Sequence, residues 1–128
     1  AVLTIDPAAA AALADWLHLG WRALDAVAAA ASQPATVQLW PEHFDAATEM
    51  GSEELGQRAS FGASPGDAGH LEPYLYVAAW SEIDRSNPYW NDRHFNGASL
   101  PYTALLEAED QMRVALDFLL AGYRILHG

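Results

Sequence analysis

The apolar positions repeat with two different periods, and each period predicts its own kind of element. Leu13, Leu17, Leu24, Val27 and Ala31 recur at helical spacing, while Asp15, Arg22 and Asp25 lie off that stripe. A start signal precedes them. Asp6 is placed to accept from the free N–H groups of a first turn, and Pro7 at the first helical position forfeits no hydrogen bond. Pro34 restricts the residue before it, so the helix is expected to end by Gln33. Gly20 interrupts the stripe where a neighbour can approach closely, and Trp16 and Trp21 are expected to widen the buried face.

After Pro34 the period changes to two. Residues 36–40 alternate and are β-prone, with Pro41 stopping the strand or placing it at an edge. Residues 44–50 resume the extended pattern, with Phe44, Ala46, Thr48 and Met50 on one face and Asp45, Ala47 and Glu49 on the other. Residues 51–56 read as a hairpin loop, and residues 58–63 return with Ala59, Phe61 and Ala63 on one face. Ser64-Pro65-Gly66-Asp67 has the residues of a type II turn, with Pro fixing φ at the second position and Gly supplying a positive φ at the third. Residues 73–80 form the most β-prone run, with Tyr74, Tyr76 and Trp80 opposite Leu75 and Val77, which suggests a strand covered on both faces.

Residues 81–100 are rich in Asn, Asp, Gly and Pro and read as one long loop, of the kind that is usually functional. Residues 103–107 suggest a helical turn. Residues 109–126 predict a closing helix with acids in its first turn and a buried stripe of Met112, Leu116, Leu119, Leu120, Tyr123 and Leu126. The predicted fold class is therefore α+β: a long N-terminal helix, about four antiparallel strands, a long loop, and a C-terminal helix packed on the sheet.

A length of 128 residues suits a single α+β domain over 1–128. The formal charge is −11, and all six cations are arginines. Such a chain repels phosphate backbones and anionic lipid surfaces, so neither nucleic acid nor membrane is an expected partner. No apolar run approaches the roughly 20 residues of a membrane-spanning helix. With no cysteine, disulfides, zinc–thiolate sites and Cys nucleophiles are excluded, in keeping with an expected cytoplasmic location.

The chemistry-bearing residues concentrate between Leu39 and Trp80. Gly62-Ala63-Ser64-Pro65-Gly66 matches the nucleophile-elbow pattern in letters only. The residue after Ser64 would have to donate its N–H to an oxyanion, and proline has none. His43 with Asp45, and His70 with Glu72, are His/acid pairs at a spacing that puts both members on one face of an extended chain. If they converge, His43, Asp45, His70 and Glu72 are candidate ligands for a divalent metal or an acid/base pair, with His94 as a further nitrogen. The ordinary alternative is histidines bound to backbone carbonyls and acids facing water. Trp40, Tyr74, Tyr76, Trp80, Trp90 and Tyr102 suit either core packing or the walls of a ligand site. Arg93 suits a carboxylate clamp or a surface ion pair.

The segments L-W-P-E-H-F-D (39–45), G-A-S-P-G-D (62–67), E-P-Y-L-Y-V (72–77) and W-N…F-N-G-A-S-L-P-Y (90–102), with the helix opening I-D-P-A-A-A (5–10), resemble an uncharacterised, mainly actinobacterial protein family over nearly the whole chain. In that family they form the C-terminal portion of a longer protein, so the resemblance implies that a further N-terminal part belongs with this chain. It carries over no activity, cofactor or catalytic residue. Three expectations follow. The first is a binding domain for a small molecule or a partner segment, using His43, Asp45, Glu72, Tyr74, Tyr76 and Trp80 with Trp40 and Trp90 as walls. The second is a hydrolase- or isomerase-like enzyme using His43 with Asp45 or Glu72. The third is a structural half that pairs with the N-terminal part.

Overall fold

A computed structural model describes residues 7–30, 37–40 and 45–128. Helix α1 (Pro7–Ala30) is followed by strands β1 (Gln38–Trp40), β2 (Asp45–Met50), β3 (Ala59–Ser64), β4 (Tyr74–Ala79) and β5 (Gly97–Pro101), then α2 (Tyr102–Leu106) and α3 (Gln111–His127). Among the described residues the strands form one antiparallel meander in chain order, β1-β2-β3-β4-β5. This is the expected α+β arrangement, with one strand more than predicted. β5 lies at the end of the stretch read as loop, where Gly97 and Ala98 weaken any strand signal. The predicted start of α1 at Asp6 and its end near Gln33 lie outside the described residues.

Alternation along the strands sorts the sheet into two faces. Ala46, Thr48 and Met50 register with Ala63, Phe61 and Ala59, and those with Leu75, Val77 and Ala79. These residues are buried and face the helices. α1 packs on β2 and β3, α3 packs on β4, and the two helices contact each other. Close approach relies on small residues: a Cβ on Gly20 would lie 2.5 Å from the Ala63 Cβ, and one on Gly122 would lie 3.1 Å from both Val77 methyls. From α1, Trp16, Ala23, Leu24, Val27 and Ala28 enter the core, whereas Trp21 stays 39 % exposed rather than extending the buried face. From α3 the deepest residues are Ala115, Leu119 and Gly122. Glu109 and Asp110 precede this helix instead of forming its first turn. Asp110 is the N-cap, its carboxylate accepting from the Arg113 N–H at 3.1 Å.

The opposite face of the sheet carries Asp45, Ala47 and Glu49, then Ser60, Gly62 and Ser64, then Tyr74, Tyr76 and Ala78, then Gly97, Ser99 and Pro101. No helix covers it among the described residues. The connections on either side of β4, residues 65–73 and 80–96, frame it. In the first, Gly66 has the expected positive φ of 113°. The Asp67 N–H goes to the His70 carbonyl at 2.8 Å, while the Ser64 carbonyl accepts from the buried Trp16 indole at 2.9 Å. The second connection is ordered by Arg85. Its guanidinium donates to the carbonyls of Asp92 (2.6 Å), Phe95 (3.1 Å) and Trp90 (3.2 Å). Asn91 pairs its side-chain amide with both backbone groups of Ser99, at 2.9 and 3.1 Å, and so occupies part of the β5 edge.

Candidate functional site

The side-chain network of the open face begins at Gly62. With no Cβ there, the Tyr76 ring packs directly against β3 at Gly62; a Cβ would fall 2.2 Å from the ring. The Tyr76 hydroxyl reaches across the sheet and donates to the Asp45 carboxylate at 3.1 Å. Tyr74, two residues earlier on the same face and 7 % exposed, donates to the Asp67 carboxylate at 2.6 Å. Phe95 stands edge-on to Tyr76, with ring centroids 6.1 Å apart at 76°. Asp45, Tyr74, Tyr76, Ala78 and Phe95 enclose a recess of about 150 Å³. Burial and the neighbouring Asp45 push the Tyr76 phenol well above its ordinary 10, and burial and the bond to Asp67 do the same for Tyr74. Both therefore present neutral O–H donors.

Beside the recess, His70 is held between two carboxylates. Its Nδ1 meets Asp67 at 2.8 Å and its Nε2 meets Asp92 at 2.5 Å, with the imidazole stacked on Tyr74 at a centroid distance of 4.0 Å. Asp92 is buried, and its other oxygen accepts the His94 N–H at 2.8 Å. Burial acts to lower the His70 pKa, but the hydrogen bonds and charges of Asp92 and Asp67 outweigh it and raise the pKa above the ordinary 6.5. The same bonds, with those from Tyr74 to Asp67 and from Ser99 and His94 to Asp92, overcome burial and lower both aspartates below 3.8. Each ring nitrogen of His70 thus has its own carboxylate partner. Asp67–His70–Asp92 works as a clamp joining the 65–73 connection to the 80–96 connection.

The residues nominated from sequence separate in space. Asp45, Tyr74 and Tyr76 meet in the recess. Glu72, the expected partner of His70, instead accepts from the N–H and hydroxyl of Thr103 at 3.0 and 2.9 Å, satisfying the first turn of α2. Trp80 is 48 % exposed, its indole on the Ser60 hydroxyl at 3.1 Å and the Arg58 guanidinium 4.8 Å from its ring. Trp90 is buried in the core and does not line the recess. Tyr102 packs against Trp16 at 4.7 Å. Trp40 lies on β1 in register with Asp45. His43 lies outside the described residues. Arg85 rather than Arg93 is the clamping arginine, and it clamps carbonyls. Among the described residues no three His, Asp or Glu side chains come together to hold a metal ion.

Three participants were not nominated from sequence. Asp67 was readable, because Asp three residues before His70 in a glycine-broken turn favours local side-chain bonding, and its carboxylate does accept the Gly69 N–H at 2.9 Å. Asp92 and Phe95 carried no local signal, since the fold alone brings Asp92 to His70 and Phe95 to Tyr76. No helix of the described residues is long and apolar enough to cross a membrane. No family model, curated protein or solved structure matches the chain.

Proposed function

We propose that the protein binds a small molecule, or one side chain of a partner segment, in the recess on the open face of its sheet. One observation carries this reading: a carboxylate, two phenols and a phenyl ring converge there on a concave volume of about 150 Å³. Ligand sites combine aromatic walls with a few placed polar groups in this way. The volume suits a compact ligand or the head group of a longer one. Gly62 favours the same reading, because it lets the Tyr76 ring, one wall of the recess, pack directly against the sheet.

The enzyme alternative, His43 with Asp45 or Glu72, finds less support at Glu72, whose carboxylate is engaged by the N–H and hydroxyl of Thr103. His43 itself lies outside the described residues.

The test is a fragment screen by ligand-observed NMR on the wild-type protein and on Ala78→Leu, which fills the recess from an open-face position. Fragments should bind the wild type and lose their signal in Ala78→Leu, with the circular dichroism unchanged. Hits that bind both proteins equally, or an absence of hits, would sink the proposal.

A further inference from the structure

We infer that a groove at the far end of the sheet docks an arginine-bearing segment of a partner polypeptide. β3 begins after the β2–β3 loop and ends at the 65–73 connection, so a groove bordered by that loop lies at the opposite end of the strand from the His70 clamp. It forms where the loop, the 80–96 connection and the last turn of α3 meet, and its volume is about 300 Å³. Ile83, Trp90, Ile125 and Leu126 supply its apolar surface, and Glu82 and Asp84 stand among them as carboxylates. It shares no lining residue with the recess on the open face.

The first argument is the direction of Arg85. Along the chain it is the cation closest to both acids, yet its guanidinium goes to the carbonyls of Trp90, Asp92 and Phe95 and to neither of them. The groove keeps two carboxylates and has no basic residue among those lining it. Among the described residues neither acid takes part in an ion pair. The Asp84 carboxylate accepts from the Ser86 hydroxyl at 2.6 Å and the Ser86 N–H at 3.0 Å, both on Oδ1. Those two bonds, the hydroxyl first, hold its pKa below the ordinary 3.8, so it is ionised at neutral pH. Arg124, one residue before Ile125, is exposed and is not a lining residue. Glu53 and Glu54, exposed on the loop that contributes Gly56, add to the same negative field. A cationic partner complements this surface, and an anionic one is repelled.

The second argument is the pairing of charge with apolar surface. Trp90 belongs to the core, Ile83 and Leu126 pack against it, and Ile125 is exposed, so apolar contact is offered inside the groove itself. An arginine lays its aliphatic stem on such a surface while its head reaches a carboxylate. Its planar fork of donors serves two acids better than the point charge of a lysine, and its weaker hydration lowers the cost of leaving water. A metal ion would gain nothing from the apolar residues. The third argument is readiness. At roughly 30 Å³ of liquid volume per water, the groove is equivalent to about ten waters, room for one long side chain and part of its neighbour. The Trp90 carbonyl is held by Arg85 at 3.2 Å and its N–H by the Asn87 carbonyl at 3.2 Å, so docking requires little ordering. Leu55, next to Gly56 in the chain, is exposed and offers contact to an apolar residue flanking the arginine.

The experiment titrates the protein with acetyl-Leu-Arg-Leu-amide and with the same peptide carrying citrulline, the neutral isostere of arginine. NMR at constant ionic strength follows the Trp90 indole and the methyl groups of Ile83, Ile125 and Leu126. The arginine peptide should shift these signals saturably, and the citrulline peptide should bind about tenfold more weakly, the product of two exposed ion pairs at about threefold each. Glu82→Gln should weaken the arginine peptide about threefold. Glu107→Gln, which removes an exposed charge outside the groove, should leave it unchanged. Equal binding of the two peptides, or equal losses in the two variants, would overturn the proposal, because the attraction would then be apolar or due to the overall charge. The absence of a saturable shift would overturn it as well. Shifts that grow with protein concentration alone would assign the groove to a second copy of the chain instead. Acetyl-arginine-amide binding as tightly as the tripeptide would assign it to a free guanidinium compound, again against the proposal.

Discussion

His70 shows how two carboxylates decide the state of one side chain. Its pKa is raised above 6.5, so its contribution to stability is fully present below about 6.5 and is lost as pH rises through the raised value. Asp67 and Asp92 are lowered below 3.8, so their contribution is present above that value and is lost as pH falls through the lowered ones. The clamp is therefore complete between about pH 4 and the raised pKa of His70. Urea denaturation across pH should show wild type more stable than His70→Gln at pH 6, with the gap narrowing as the solution becomes alkaline. A gap independent of pH would mean that the charge of His70 contributes nothing. Thr48 makes the opposite case. Its hydroxyl is buried among the helix-facing residues of β2 with no hydrogen-bond partner among the described residues. Thr48→Val removes an unsatisfied group at nearly constant shape, so it should raise stability by about 1 kcal/mol in the same assay.

Glycines fix how the elements sit against one another, and their replacements should differ in a predictable order. At Gly97, where β5 begins, a Cβ would fall 2.0 Å from the Val77 carbonyl oxygen and 2.8 Å from the Phe95 ring. The obstacle is backbone, so β5 would have to move away from β4. Gly97→Ala should cost about 3 kcal/mol, the upper end of overpacking effects, or prevent folding. Gly56 has a φ of 70° in the β2–β3 loop, with only the Ser81 side chain within 4 Å of a built Cβ. Gly56→Ala meets no clash and pays only for its left-handed backbone, about 1 kcal/mol. Chemical denaturation of the two variants side by side tests the ranking; equal losses would contradict it. The β5 edge illustrates the same dependence on neighbours. Gly97 to Pro101 has a poor strand sequence and becomes a strand because β4 supplies partners on one side and the Asn91 amide supplies a pair on the other.

Charge acts on the molecule as a unit. With 17 acids against six arginines, the folded state concentrates like charges that the unfolded chain spreads apart. Raising salt from about 10 mM to about 150 mM shortens the screening length from about 30 Å to about 8 Å, so Tm should rise with added sodium chloride. A fall would mean that attractive pairs such as Glu49–Arg58 outweigh the general repulsion. Periodicity sufficed for what depends on near neighbours: the long first helix, the faces of β2, β3 and β4, the approach at Gly20, and the α+β class. Side-chain direction in a helix or strand follows from position along the chain, so the apolar pattern already states which face is buried. The site was legible only in part. Asp45, Tyr74 and Tyr76 could be assigned to one face from alternation, but their convergence with Phe95 depends on how β2, β3 and β4 register across the sheet. The pairing of His70 with Asp92 rather than Glu72 spans 22 positions and two connections of irregular backbone. Periodicity is silent there, because a loop's path is set by the partners its polar groups find after the sheet has formed, and those partners exist only in the tertiary structure.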